Sequence, residues 1–144
     1  MIIPAKPCHM AEIAAMEDAA FSDPWSEKSL ESALSDELNI FLADVSDGKV
    51  RGYIIGNCDG FSGYIEKIAV GNEFRRLGIG TLLLRAFSDA LPDTAESISL
   101  EVRASNAPAI GLYGSFGFER AGVRRGMYSA PKEDGIVMIK ALKG

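Results

Sequence analysis

A chain of 144 residues has room for one domain, and at that length it buries roughly 68% of its unfolded surface, so it needs no disulfide or metal staples. A hydrophobic fraction of 47% excludes a disordered chain, and no apolar run approaches the ~20 residues of a membrane helix. The net charge of −5 argues against a general nucleic-acid binder, which carries a basic face, and is compatible with a basic partner.

The opening residues, Met1 to Met10, lack the charged-then-apolar layout of a secretory leader, so a cytoplasmic protein is expected. Cys8 and Cys58 form no C-x-x-C pair and read as reduced, partly buried thiols. His9 is the single histidine; it cannot build a histidine-based metal site and reads as structural or solvated, so no metal is expected.

In chain order, residues 2–6 suit a first strand. Met10 to Ala20 has helical spacing, with Ile13, Met16 and Ala20 on one face. "FSDPW" breaks this helix, and Ser26 is placed to cap a second, short one running through Leu34. "NIFLADV" and "VRGYIIGN" read as strands of a hairpin closed at Asp47-Gly48. "FSGYIEKIAV", residues 61–70, is a longer strand. Ile79, Leu82, Leu83, Ala86, Phe87 and Ala90 then repeat at helical spacing up to Pro92. "SISLEV" is a strand, and "NAPAIGLYGSFGF" a helix with Pro108 in its first turn. Two closing strands fall near Glu119–Arg125 and Ile136–Leu142. The order predicts an α/β (α+β) domain, one mixed sheet with helices on both faces.

"RRLGIG" sits between the strand ending at Val70 and the helix starting at Ile79. Such a junction aims several backbone N–H groups at one spot, where the helix dipole adds partial positive charge. Gly78 and Gly80 permit close approach to the main chain, and Arg75 and Arg76 add full charges. An anionic ligand, most simply a pyrophosphate, suits this loop. It is no P-loop, since Thr81-Leu82 follows Gly80 where Lys-Ser/Thr is needed. It is no dinucleotide fingerprint either, since Leu83 stands at the third glycine. The alternative is a glycine-rich turn with solvated arginines.

"RRLGIG" resembles the Arg/Gln-x-x-Gly-x-Gly/Ala signature of the GNAT superfamily of N-acetyltransferases. With "FSDPWSE", "IAV", "LEVRASNAPAIGLYGSFGF" and the "RR" before Met127-Tyr128, the chain is similar to one branch of it, the bacterial ribosomal-protein-alanine N-acetyltransferases of the RimI type. The similarity runs from about Phe21 to Leu142. It implies a single N-acetyltransferase domain over residues 1–144, with a mostly antiparallel mixed sheet. It implies acetyl-CoA as cosubstrate and a basic ribosomal-protein N-terminus as acceptor; the charge and the short apolar runs already argue against nucleic-acid and membrane partners. Ile68, Ala69 and Val70 match the strand that pairs with the pantetheine arm. Arg75, Arg76, Leu77, Gly78, Ile79, Gly80 and Thr81 match the pyrophosphate loop, and Asn106 a cofactor contact. Glu101 matches the general base and Tyr113 the general acid. The branch often carries two adjacent tyrosines where this chain has Met127-Tyr128, and "SAPKEDGIVM" is compressed; both departures lie on the peptide-binding side.

The residues suit that chemistry. A terminal α-amine has a pKa of about 7.7–8.0 against about 10.4 for lysine, so a carboxylate working through one water can deprotonate it. A phenol can donate to a departing thiolate. Tyr113 lies seven residues after Asn106, two helical turns, so the two are expected to project on the same face. Read singly, Glu101 can instead pair with Arg103 on its own strand face, and Tyr113 can be an interior aromatic beside Leu112 and Phe116. Glu66 on the earlier strand is a rival base. Two other readings stay open: an acetyltransferase for lysine side chains or small amines, and a non-catalytic acyl-CoA-binding module.

Overall fold

The structure, a computed structural model, describes residues 1–142; Lys143 and Gly144, the end of the expected domain, lie outside them. Its strands and α-helices follow in the order β1 (Ile2–Pro4), α1 (Met10–Ala20), α2 (Glu27–Ser35), β2 (Asn39–Ser46), β3 (Lys49–Cys58), β4 (Ser62–Val70), α3 (Ile79–Asp89), β5 (Ser97–Arg103), α4 (Ala107–Phe116), β6 (Glu119–Ser129) and β7 (Lys132–Ala141). All seven strands join one sheet in the order β1-β2-β3-β4-β5-β7-β6. Every neighbouring pair is antiparallel except β4 and β5. The expected mixed, mostly antiparallel sheet is therefore present. Among the described residues, no helix is long and apolar enough to cross a membrane.

Local chemistry accounts for most element ends. Asp47 and Gly48 both take positive φ, 52° and 76°, as a tight hairpin turn with the right twist requires. Ser26 accepts the Ser29 N–H at 3.1 Å and caps α2 as expected. His9 is buried, and its Nδ1 accepts the Lys6 N–H at 3.0 Å, so the lone histidine is structural. Cys8 is exposed rather than partly buried.

The sheet carries a core on each face. On one, α1 and α2 set Met10, Ile13 and Leu30 against Phe41, Ala43, Tyr53 and Ile55. On the other, α3 buries Ile79, Leu83, Leu84 and Phe87 against Ile54, Ile65, Ile98 and Leu100, and α4 adds Tyr113. Phe87 lies so close to the sheet that a Cβ at Gly56 would fall 2.5 Å from its ring. Burial of side chains this size contributes about 1.5–3 kcal/mol each. Along β5, Ile98, Leu100 and Val102 point into the α3–α4 core. Alternation then turns Ser99, Glu101 and Arg103 to the α1–α2 face.

Two features depart from the expected pattern. The buried face of α1 is Met10, Ile13 and Glu17, not Ile13, Met16 and Ala20, because a carboxylate occupies the third inward position. The closing hairpin is also longer, reaching Ser129 on β6 and starting at Lys132 on β7. The added residues are mostly polar or glycine and show no alternation. They pair because Gly126 N–H bonds Asp134 at 2.8 Å and Tyr128 opposes Glu133.

Candidate active site

The turn before α3 presents a set of unpaired donors. Among the described residues, the N–H groups of Arg76, Leu77, Gly78, Ile79, Gly80 and Thr81 meet no backbone or side-chain acceptor, and no side chain caps α3. Arg76 and Gly78 both have positive φ, 67° and 78°, which turns this run of donors outward. Gly78 is open, with nothing within 4 Å of where a Cβ would stand. Gly80 is buried, and a Cβ there would meet the Leu112 side chain of α4 at 2.9 Å, so helix packing is a further reason for a small residue at this position. Arg75 and Arg76 are exposed and make no ion pair among the described residues. The whole suits a diphosphate.

Beside this turn the sheet splits. β4 and β5 pair only at Ser62–Ser97, Gly63–Ile98 and Tyr64–Ser99 among the described residues. Beyond them, Ile55 of β3 opposes Lys67 while Gly56 opposes Ile65, so Glu66 is an extra, unpaired residue. A bulge bends its strand, and β4 leaves β5 at this point. Ile68, Ala69 and Val70 keep their β3 partners Ile54, Tyr53 and Gly52 but have none on the β5 side. The split leaves backbone groups free in the middle of a sheet, where an extended amide-bearing chain can pair.

Glu101 stands at the crotch of the split. Its side chain is 8% exposed. Tyr64 Oη donates to Oε1 at 2.5 Å, and Arg124 of β6 donates to Oε2. Arg124 is 62% exposed, so this pair contributes little stability and its guanidinium can swing away. The expected partner Arg103 is committed elsewhere. Glu66, the rival base, is exposed at the bulge and accepts from Asn57 Nδ2 at 3.2 Å.

Tyr113 lies on the other face, 7% exposed, edge-on to Phe118 at 5.9 Å between centroids. Its hydroxyl makes no hydrogen bond among the described residues. Burial holds its pKa above the usual phenol value, with a smaller push from Tyr128. Burial also raises the Tyr128 pKa, with Glu101 adding to it, and the Tyr128 ring lies against the Arg103 guanidinium at 4.4 Å. Asn106 does not share a helical face with Tyr113. It is the N-cap of α4, with φ −82° and ψ 71°, and its Oδ1 accepts the Ala109 N–H at 3.3 Å. Its Nδ2 is uncommitted among the described residues.

Several site residues carry no signal in the sequence. Tyr64 is one polar position of an alternating strand, and Arg124 one of two adjacent arginines; neither stands at a telling spacing. Glu17 is fully buried and accepts the Trp25 N–H at 2.8 Å, the Tyr53 hydroxyl, and Lys67 Nζ at 3.3 Å. Lys67 also lies 3.9 Å over the Phe21 ring. Glu17 thus ties the α1–α2 connector to β3 and β4.

The model of the acetyltransferase (GNAT) family matches residues 10–118. The chain is 42% identical over 120 residues to an N-alpha-acetyltransferase of Sulfurisphaera tokodaii, covering 74% of this chain and 71% of that protein. It is 37% identical over 127 residues to the ribosomal protein bS18-alanine N-acetyltransferase of Escherichia coli, covering 85% of this chain and 84% of that one. The crystal structure of the Escherichia coli ribosomal-protein-S18-alanine N-acetyltransferase superposes with a TM-score of 0.88 at 31% identity, covering 100% of this chain and 94% of that one.

Proposed function

The chain belongs to the acetyltransferase (GNAT) family, and from that premise we propose that it passes the acetyl group of acetyl-CoA directly to a protein N-terminus, with the N-terminal alanine of a small-subunit ribosomal protein as the favoured acceptor. The enzyme is an acetyltransferase; the acceptor is the proposed part. One observation carries the reading. A nearly buried carboxylate, Glu101, sits at the mouth of a split sheet whose far side carries six unanswered N–H groups.

The residues fit acetyl-CoA. The N–H groups of Arg76 to Thr81, with Arg75 and Arg76, would hold the diphosphate. Main chain at Ile68–Val70 would pair with the amide-bearing arm, and the uncommitted Asn106 Nδ2 would serve as a further donor. The donor enters from the α3–α4 side and the amine from the α1–α2 side, where Glu101 faces. Their meeting point is the split, and holding both there supplies much of the rate.

The steps balance simply. Glu101 takes a proton from the acceptor ammonium through one water, and the neutral amine attacks the thioester carbonyl. The C–N bond forms, the nitrogen sheds its second proton to water as the C–S bond breaks, and the sulfur leaves as thiolate. Tyr113 has a raised pKa, so it acts first by donating a hydrogen bond to that sulfur. Full proton transfer completes as the thiol departs, and solvent restores the phenol. A terminal α-amine asks less of a carboxylate than a lysine does. Glu66 is less suited as base because it is exposed and held by Asn57.

A panel of acceptors tests this, with free thiol as readout: peptides beginning with alanine, the same peptides with blocked N-termini, lysine peptides and polyamines. Alanine-first peptides should react best. Equal reaction of blocked peptides would end the N-terminal reading. The Sulfurisphaera tokodaii relative, whose name specifies no residue, favours including other first residues in the panel.

A further inference from the structure

Arg103 ends β5 on the Glu101 face, and its guanidinium reaches two segments far apart in sequence. Nη2 donates to Ser22 Oγ at 2.8 Å, in the connector between α1 and α2. Nη1 donates to the Pro131 carbonyl at 2.9 Å and to Glu133 Oε1 at 3.3 Å, at the tip of the β6–β7 hairpin, and Nη2 also reaches the Ala130 carbonyl at 3.4 Å. The Tyr128 ring lies against it, 4.4 Å from Cζ to centroid. Glu133 is itself fixed, accepting the Ser105 N–H at 2.6 Å. These two segments border the side of the split from which Glu101 is reached: Phe21 and Trp25 of the connector crowd Lys67 of β4, while Arg124 and Tyr128 of the hairpin adjoin Glu101.

Each segment has its own support without Arg103. Glu17 anchors the connector at Trp25, and the hairpin is held by its strand ladder. The contacts of Arg103 therefore add little to the folding of either; what they fix is the separation between them. We infer that Arg103 is a positioning residue that sets the width of the acceptor cleft by tying the connector and the hairpin to one guanidinium. A planar fork with five donors spans both walls in one fixed geometry, which the single nitrogen of a lysine does not reproduce. The inference rests on the acceptor side proposed above.

Initial-rate kinetics with an alanine-first peptide and acetyl-CoA test it on Arg103→Ala, Arg103→Lys, Ser22→Ala and the Arg103→Ala/Ser22→Ala double variant. Arg103→Ala should raise the peptide KM about tenfold, the scale of one lost charged hydrogen bond, with the acetyl-CoA KM unmoved. Arg103→Lys should not restore it. Ser22→Ala, at an exposed position that cannot unfold the chain, should raise the peptide KM in the same direction, and the double variant should be no worse than Arg103→Ala alone. An unchanged peptide KM in Ser22→Ala, recovery in Arg103→Lys, a parallel rise in acetyl-CoA KM, or additive effects would each overturn the strut while leaving the acceptor reading intact. Failure of the wild type to acetylate the peptide would overturn both.

Discussion

The Tyr64 hydroxyl bonds the Glu101 carboxylate at 2.5 Å across two strands whose ladder ends at Tyr64 itself. The bond fixes the carboxylate where β4 and β5 part. Glu101→Gln should lower kcat by about 10²- to 10⁴-fold, the usual range for a positioned base, with the acetyl-CoA KM unchanged. Its residual activity should climb as pH passes about 7.7–8.0, because the α-amine then deprotonates itself. Tyr64→Phe should cost less, about tenfold, through lost orientation. A pH–rate profile for Glu101→Gln that parallels the wild type would remove the carboxylate from the proton path.

All four tyrosines are held above the ordinary phenol pKa, and burial is the largest cause at each. At Tyr53 and Tyr64 the facing carboxylates, Glu17 and Glu101, push further the same way. A folded pKa above the unfolded value of 10.0 stabilises the fold fully below pH 10, and that stabilisation drains away as pH climbs beyond it. Tyrosinate absorbance should therefore rise together with loss of far-ultraviolet circular dichroism in an alkaline titration. A tyrosinate signal near pH 10 from a chain that is still folded would contradict it. Tyr113→Phe should reduce turnover, leave acetyl-CoA affinity near normal, and shrink the final tyrosinate amplitude by one residue.

Much of this fold is legible because short-range rules set it. The Asp47-Gly48 turn, the Ser26 cap, the α3 periodicity and the Pro108 helix start are all fixed by neighbours a few residues away. Glu101 and Tyr113 are legible only through family resemblance, since a lone carboxylate and a lone buried phenol are usually structural. The ties that shape the site span long distances: 37 residues from Tyr64 to Glu101, 36 from Glu17 to Tyr53, 81 from Ser22 to Arg103. No local pattern encodes them. The bulge at Glu66 is equally silent, because an inserted residue leaves a strand that still reads as alternating on either side. Glu17 misleads for a related reason: a carboxylate at an inward position looks like solvent-facing helix until Tyr53, Lys67 and the Trp25 N–H converge on it.

That convergence makes Glu17 a sensitive point. Glu17→Ala should cost about 3–5 kcal/mol in urea unfolding, because it strips the partner from Lys67 and leaves the buried Tyr53 hydroxyl unbonded. The connector carrying Phe21 and Trp25 would loosen with it, so the acceptor KM should rise as well. A Glu17→Leu/Lys67→Met double variant should recover only the share owed to the stranded lysine, and adding Tyr53→Phe should recover more, since the double variant still leaves the buried Tyr53 hydroxyl unbonded. Stability loss of under about 1 kcal/mol in Glu17→Ala would mean the charges are already hydrated in the folded chain.

The turn before α3 offers a way to separate backbone shape from charge. Gly78 has φ 78° and open space around it, so Gly78→Ala meets no clash but must hold a left-handed backbone, at about 1–2 kcal/mol. Relaxing that strain would swing the N–H groups of Gly78 to Thr81 off their common aim. The acetyl-CoA KM should rise while the peptide KM stays put. Arg76 also sits at positive φ, 67°. Arg76→Asn substitutes a residue at ease in that conformation, so thermal stability should hold while the charge is lost. The acetyl-CoA KM should then rise and become less sensitive to salt than in the wild type, because a cation facing a diphosphate is screened within a Debye length. Equal salt dependence in the two proteins would show that Arg76 serves the turn alone, and that the diphosphate is held by main chain and Arg75.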